Sequence, residues 1–345
     1  MNALSPIGGL AVRRAKAEDE AAILAFLARN PGASPFHRPA WLRAVERGCG
    51  HGSTVLLAEE FGAVTGILPL THVCSRLFGS ALVSTGFAVG GGIVATDPAS
   101  VERLAAGAVA LGEELGCPTV ELRGGDVPPG WSRSEGVYAG FARQLPSHDE
   151  AILKSIPRKQ RAEVRRAIGF GLEASVHREA GLHHRVYAES VRNLGTPVFP
   201  LGLFEAVLDE FGEDAEILTV SASGRAVASV LSLYSGGTVF PYWGGGTGEA
   251  RRLRANELMY FELMRHAASR GCTRFDFGRS KLGTGAFAFK KNWGFEPEPL
   301  VYAVHGRGRD TNPLSARYRL QVALWKKLPL GLANRLGPPI ARGLG

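Results

Sequence analysis

FDFGRSKLGTGAFAFKKNWGF, residues 275–295, combines a strand, a glycine-rich turn and a short aromatic, basic helix. The alternation in Phe275-Asp276-Phe277 predicts a strand with one buried face. Three glycines follow between Gly278 and Gly285, and their backbone freedom lets a ligand approach the main chain. Four cations surround the turn and suit a substrate that is anionic or develops an oxyanion: Arg279, Lys281, Lys290 and Lys291.

The composition is that of a soluble globular protein. The 345 residues leave room for two domains, 45% of them are hydrophobic, and the mean hydropathy is zero. Lysine and arginine outnumber acidic residues by 40 to 32, so the net charge of +8 favours phosphate-bearing donors, RNA or an anionic membrane face. The four cysteines occur singly and no histidine cluster has zinc spacing. We therefore expect no metal site and a cytoplasmic protein with reduced thiols.

Two long uncharged windows, Leu77–Thr96 and Ala226–Gly248, are each long enough to span a bilayer. Both are interrupted by glycine and by serine or threonine clusters, which separate β-branched and aromatic runs. That pattern predicts strands and turns of a buried sheet, not membrane spans. The N-terminus also lacks the apolar core of a secretory signal.

The chain carries an internal repeat. GCPTVELRG begins at Gly116 and GCTRFDFGR at Gly271, 155 residues later, and the triple glycines at Gly90 and Gly244 are 154 residues apart. Similarity at constant spacing predicts one fold used twice. In the second copy, periodicity predicts a strand, two helices, antiparallel strands, a helix over Leu253–Ser269, strand Arg274–Phe277, a short helix and a last strand, Leu300–Val304. We expect domains at 1–147 and 148–310, followed by a basic amphipathic tail at 311–345.

A long helix is predicted over Asp149–Phe170, where Pro157 is tolerable only near the first turn. Arg158, Arg161 and Arg165 recur on one stripe of this helix. This stripe is either a solvated face or a clamp for the phosphates of a donor.

The tail from Tyr318 to Gly345 mixes leucines and a tryptophan with arginines and lysines. Such a segment either packs on the core of the protein or lies peripherally on the inner face of a membrane.

The motifs together resemble a known family. FDFGRSK-x-GTG-x-x-x-FKKNWGF, SPFHRPAW, IPRKQRAEVRRA and LWKKLPLGLANRLGP are similar to FemAB-like proteins found with PEP-CTERM/exosortase and exopolysaccharide gene sets. These are relatives of the FemABX aminoacyltransferases in the GNAT superfamily. The resemblance implies an α/β protein of tandem GNAT-like domains, with mixed, mostly antiparallel sheets flanked by helices. It also implies transfer of an aminoacyl or acyl group to an amine of a cell-envelope or exopolysaccharide precursor, with no bound cofactor.

The same resemblance implies the site residues. Lys290 occupies the position after a phenylalanine, Phe289, where FemABX-like enzymes have a functional lysine, and we expect it to be the catalytic cation. Asp276 is a catalytic base, a cap of the following glycine turn or an ion-pair partner of Arg279. His37, Arg38 and Trp41 are expected to contact substrate from the first domain. Tyr242 and Trp243 end a strand before the triple glycine, where splayed strands admit donor and acceptor.

The donor is either aminoacyl-tRNA or an acyl-CoA. CoA-dependent GNAT enzymes cradle the pyrophosphate in a loop rich in small residues, which opens the long helix. Here Arg254 and Asn256 replace those small residues, so the sequence favours aminoacyl-tRNA. Two alternatives remain: an acetyl-CoA-dependent N-acetyltransferase, and a non-catalytic assembly factor that binds a glycolipid or polysaccharide. The oligomeric state is left open.

Overall fold

The computed structural model describes residues 4–7, 9–308 and 318–345. The described residues divide into two compact units. The first takes residues up to Gly136, those from Leu300 to Gly308, and Pro339–Gly345. The second takes Val137–Pro299 and the described residues from Tyr318 to Pro338.

The first unit is a mainly antiparallel sheet covered by helices. Its strands follow the order β1-β2-β3-β4-β5-β7-β16-β8, and the short β6 pairs with β4. Alternating residues of β2 to β5 and β7 pack against helix α3, because each of those strands has a buried apolar face. The elements are β1 Leu4–Ile7, β2 Leu10–Arg14, α1 Glu20–Arg29, α2 Pro39–Cys49, β3 Ser53–Glu60, β4 Ala63–Ser75, β5 Gly79–Ser84, β6 Val94–Ala95, α3 Pro98–Glu114, β7 Thr119–Arg123, β8 Ser132–Ser134 and β16 Tyr302–Gly306.

The second unit repeats this plan. Its sheet has the order β10-β11-β12-β13-β14-β9-β15, and a core of aromatic and aliphatic side chains lies between the sheet and helix α9. The elements are β9 Tyr138–Gln144, α4 Asp149–Ser155, α5 Arg158–Gly169, β10 Glu173–His177, α6 Ala180–Leu194, α7 Leu201–Phe211, β11 Ala215–Ala222, β12 Arg225–Ser235, β13 Thr238–Gly246, α8 Ala250–Leu253, α9 Ala255–Ser269, β14 Arg274–Lys281, α10 Gly285–Asn292, β15 Glu298–Pro299, α11 Arg319–Trp325 and α12 Leu330–Ala341, the last of which continues into the first unit.

The tandem fold predicted from the repeat is confirmed. In the first unit α3 joins the parallel strands β5 and β7, and in the second α9 joins the parallel strands β13 and β14. Glu121 and Asp276 therefore lie on strands that hold the same position in their sheets. Gly116 and Gly271, which precede these strands, both adopt positive φ angles after the helix. This left-handed conformation explains the glycine in each copy of the Gly-Cys motif.

The two units exchange a strand, which the sequence did not predict. Strand β16 follows the second copy in the chain but pairs with β7 of the first sheet. Strand β9 belongs to the first half of the chain but pairs with β14 of the second sheet. The second unit therefore begins at Val137, ahead of the expected boundary near Ser147. Alternating apolar residues mark a strand but do not say which sheet it will join.

Other differences are local. The long helix expected over Asp149–Phe170 is broken at Ile156 and Pro157 into α4 and α5, because proline cannot donate a backbone hydrogen bond. Strand β11 was missed. The window Ala226–Gly248 forms strands, and no helix among the described residues is long and apolar enough to cross a membrane. Residues 309–317, where the second domain was expected to meet the tail, lie outside the described residues.

Candidate functional site

An opening between β13 and β14 defines the candidate site of the second unit. The two strands pair in parallel only at Thr238 with Arg274 and at Val239 with Phe275. Beyond those pairs β13 continues along β12 to Gly246, whereas β14 continues along β9 to Lys281. The strands thus separate, and their edges leave backbone groups available to a ligand.

The glycine run at the end of β13 makes room for polar side chains. A Cβ atom on Gly244 would lie 2.7 Å from the Tyr260 hydroxyl, and one on Gly246 would lie 2.8 Å from Asn256 Oδ1. A Cβ on Gly245 would collide with the Ser190 hydroxyl on the other face. The three glycines are therefore required by close side-chain approach from α6 and α9.

Two tyrosines beside this run were missed by sequence reasoning. Tyr187 of α6 lies next to Gly245, and Tyr260 of α9 lies next to Gly244. Burial raises the pKa of both phenols, and each is half-buried without a hydrogen bond from its hydroxyl to any described residue. Their helical spacing looked like ordinary core periodicity, so the sequence gave no separate signal. Each offers a neutral O–H donor at the strand opening.

Lys290 is held at the other side of the opening. Its ammonium donates hydrogen bonds to the carbonyl oxygens of Gly278, at 3.2 Å, and Arg279, at 2.8 Å. It also lies 5.5 Å from the ring centroids of both Phe141 and Phe277. An ammonium group has three donors, so one remains for a ligand.

Burial lowers the pKa of Lys290 to about 7, although the Asp276 carboxylate partly opposes this shift. Burial also raises the pKa of Asp276, whose Oδ1 accepts the Gly278 N–H at 2.8 Å. Asp276 therefore caps the glycine turn, which was one of its predicted roles. The bulge at Gly278, with its positive φ, turns the carbonyls toward Lys290.

The aromatic residues of the motif build the floor beneath the lysine. Trp293 and Phe295 are fully buried, and Phe289 is half-buried against Tyr260, Phe277 and Trp293. Lys291, the neighbouring lysine, is exposed. This packing fixes α10, and thereby the position of Lys290.

The expected donor cradle at the start of α9 is filled by protein. Arg254 takes a left-handed conformation (φ 56°) between α8 and α9, and its Nε pairs with Glu163 of α5 at 2.6 Å. Its guanidinium also donates to the Arg251 carbonyl at 2.9 Å. Asn256 Oδ1 is buried without a partner beside Gly246. Arg254 is thus engaged in an ion pair at the position where the donor cradle was expected.

The basic stripe on α5 is smaller than predicted. Arg161 donates to the carbonyls of Lys154 and Ile156, so it closes the end of α4 rather than facing a ligand. Arg158 and Arg165 are exposed and form no ion pair with any described residue. The exposed Lys159 shares this property. Residues three and seven apart share a helix face. The break at Pro157, however, exposes the last carbonyls of α4, and Arg161 hydrogen-bonds to them.

The residues expected to contact substrate from the first unit are largely structural there. His37 is buried, accepts the Ser34 N–H at Nδ1 and donates from Nε2 to the Gly92 carbonyl at 3.0 Å. Burial lowers its pKa to about 4. Trp41 is also buried, and its indole N–H donates to the Gly86 carbonyl. Arg38 is half-buried at the start of α2. Of these three, Arg38 alone keeps exposed surface for a ligand.

The remaining predicted residues divide between core and site. Trp243 is buried against Phe204, 4.9 Å between centroids, so it belongs to the core. Tyr242 is half-buried beside it. Arg279 stacks over Tyr138 at 4.7 Å, and Lys281 ends β14, both half-buried at the edge of the opening.

Comparison with known proteins supports the fold. Residues 154–291 match a sequence model described as an acetyltransferase (GNAT) domain. That range includes the strand opening, the Arg254 turn and Lys290. No curated protein matches the chain.

Solved structures resemble the chain over most of its length. FemX superposes with a TM-score of 0.64 and 14% identity, covering 84% of this chain and 96% of that one. L-PGS from Bacillus licheniformis has a TM-score of 0.53 and 16% identity, covering 92% and 96%. A tandem GNAT protein from the clavulanic acid biosynthesis pathway has a TM-score of 0.53 and 14% identity, covering 87% and 99%. At such identities the likeness shows the fold alone.

Proposed function

We propose that the chain is an acyltransferase that moves an aminoacyl group from aminoacyl-tRNA to an amine of a cell-envelope or exopolysaccharide precursor. The observation that carries the proposal is the half-buried Lys290 ammonium, held by two carbonyls beside the opening of β13 and β14. The acetyltransferase-type domain match and the FemX-like fold support the reaction class. We further propose that the second unit supplies the reacting groups.

The proposed reaction needs one developing negative charge to be stabilised. Attack of the acceptor nitrogen on the ester carbonyl forms a C–N bond and places charge on the carbonyl oxygen. Collapse breaks the ester C–O bond, and the proton lost by the amine passes to the leaving hydroxyl oxygen. In this proposal the third N–H of Lys290 donates a hydrogen bond to the developing oxyanion, and the Tyr260 hydroxyl donates one to the leaving oxygen.

The donor assignment rests on the start of α9. Arg254 and Glu163 occupy the position where a CoA pyrophosphate would need open backbone N–H groups. The exposed Arg158, Lys159 and Arg165 instead offer a cationic face suited to an RNA backbone. A tRNA donor is therefore favoured over CoA.

An assay with both donors tests this proposal. The purified chain is given charged tRNA or acyl-CoA with an amine-bearing precursor, and product is followed by mass spectrometry. Lys290→Met should lower tRNA-dependent turnover by about two to three orders of magnitude while donor binding persists. Turnover with acyl-CoA but not with charged tRNA would identify acyl-CoA as the donor instead. Binding of the precursor without turnover with either donor would favour a non-catalytic assembly factor.

The second candidate function is acetyl-CoA-dependent N-acetyltransfer. It is favoured by the matched domain, which is described as an acetyltransferase. Calorimetry with CoA separates the two candidates, because the filled cradle predicts that CoA does not bind.

A further inference from the structure

Helices α11 and α12 each have a packed inner face. On α11, Val322 approaches Gly195, at the end of α6, so closely that a Cβ on that glycine would lie 2.6 Å away. On α12, Ala333 is buried, and Gly337 packs against the Val198 backbone. The tail therefore packs on the rest of the protein, which was one of the two arrangements predicted for it.

The outer faces of the same helices are apolar and exposed. Leu320 and Leu324 are one turn apart on α11, and Leu332 and Leu336 are one turn apart on α12. All four are exposed, Leu320 to 70%. Only residues 326–329 separate the two helices. Paired leucines on successive helices form an apolar surface of a kind that soluble proteins usually cover.

The charged side chains of this segment have one sign. The last acidic residue of the sequence is Asp310, and the 35 residues after it contain six arginines and lysines. Arg319, Lys326, Lys327 and Arg335 belong to α11, to α12 or to the link between them, and all four are exposed. Apolar side chains bordered by long basic ones suit a lipid–water interface, where leucines enter the acyl region and cations contact headgroups.

We propose that the outer faces of α11 and α12, defined by Leu320, Leu324, Leu332 and Leu336, bind the surface of an anionic phospholipid bilayer. This goes beyond the acyl transfer, because it needs none of the groups at the strand opening. An RNA partner would use the cations but not four exposed leucines. A protein partner would use the leucines without requiring that every charge beside them be positive.

Vesicle co-sedimentation with the full chain tests the proposal. Vesicles of phosphatidylcholine with about 30% phosphatidylglycerol should bind the chain, pure phosphatidylcholine vesicles should bind it at least about tenfold more weakly, and added salt should weaken binding. Leu320→Ser with Leu324→Ser should lower the partition coefficient about tenfold or more, since two apolar side chains no longer enter the bilayer. Leu77→Ser, at a leucine equally exposed (70%) in the first unit, is the matched control.

Circular dichroism and thermal unfolding show that each variant is folded. Equal loss in Leu77→Ser, equal binding to neutral vesicles, or no binding to either vesicle would overturn the proposal. Capture of a protein by the wild-type chain but not by the double variant, without vesicle binding, would assign the surface to a protein partner and also overturn it.

Discussion

Replacing Lys290 with methionine is the most direct test of the candidate site. The change keeps most of the stem but removes the ammonium that donates to Gly278 and Arg279. If its third donor stabilises the oxyanion, turnover should fall by about two to three orders of magnitude. Lys291→Met is the matched control, because this adjacent lysine is exposed and should change turnover far less.

The effect on stability should be modest, because two terms oppose each other. The pKa shift from 10.5 to about 7 means that burying the protonated lysine costs on the order of 5 kcal/mol. Methionine removes that cost but leaves two carbonyls without a donor, at about 1–3 kcal/mol each. The free energy of unfolding should therefore change by less than about 3 kcal/mol, small beside the catalytic loss.

The pH dependence gives an independent readout. Between pH 7 and 10.5 the unfolded chain keeps a proton on Lys290 that the folded chain has released. Stability should therefore gain up to about 1.4 kcal/mol per pH unit from this residue as the pH rises, and Lys290→Met should lose that gain. A required cation also predicts that turnover falls above pH 7, and that Lys290→Arg removes this decline because arginine stays charged.

Denaturant unfolding at several pH values and steady-state kinetics measure these effects. Wild-type turnover in a correctly folded Lys290→Met protein would refute the assignment of this lysine. Greater sensitivity of Lys291 would refute it as well. A turnover that rises steadily through pH 9 would instead make Lys290 a neutral base.

Three further predictions concern its surroundings. Tyr260→Phe should lower turnover about tenfold or more. It should change the free energy of unfolding by under about 0.5 kcal/mol, because the hydroxyl has no hydrogen bond to a described residue. Unaltered kinetics would mean that Tyr260 is only a core residue. Gly245→Ala should destabilise the fold by about 1–3 kcal/mol in thermal unfolding, since its Cβ meets Ser190, whereas Gly202→Ala, with no neighbour within 4 Å, should not. Arg158→Glu with Arg165→Glu should weaken tRNA binding and reduce its salt slope by about two; Arg166→Glu, whose side chain already pairs with Glu163, should do less, and equal losses would contradict a specific contact.

The repeat shows how far the sequence reaches. The Gly-Cys motifs at Gly116 and Gly271 fixed the equivalence of β7 and β14, because both need a positive φ after a helix and then an alternating strand. Hydrophobic periodicity likewise placed α9 and β16, predicted over Leu253–Ser269 and Leu300–Val304, within about two residues. Backbone conformation and hydrophobic periodicity depend on residues close together in the chain, so they can be read from the sequence alone.

The candidate site was only partly accessible in this way. The motif around Lys290 was visible because its resemblance to a family singles out that lysine. The hydrogen bonds of Arg161 and His37 could not be predicted, because their partners are the backbone carbonyls of Ile156 and Gly92, which carry no side-chain signal. The sequence carried no signal for Tyr187 and Tyr260, because an aromatic residue on a helix is equally typical of a core position.

The sequence by itself determined the duplicated α/β plan, the glycine turn and the basic, aromatic motif, because these depend on periodicity and backbone conformation. Only the tertiary structure decided which sheet received β9 and β16, that Arg254 pairs with Glu163, and that Lys290 is buried enough to lower its pKa. Strand exchange, ion pairing and desolvation all arise between residues distant in the chain. They are fixed by packing and by exclusion of water, which no local pattern records.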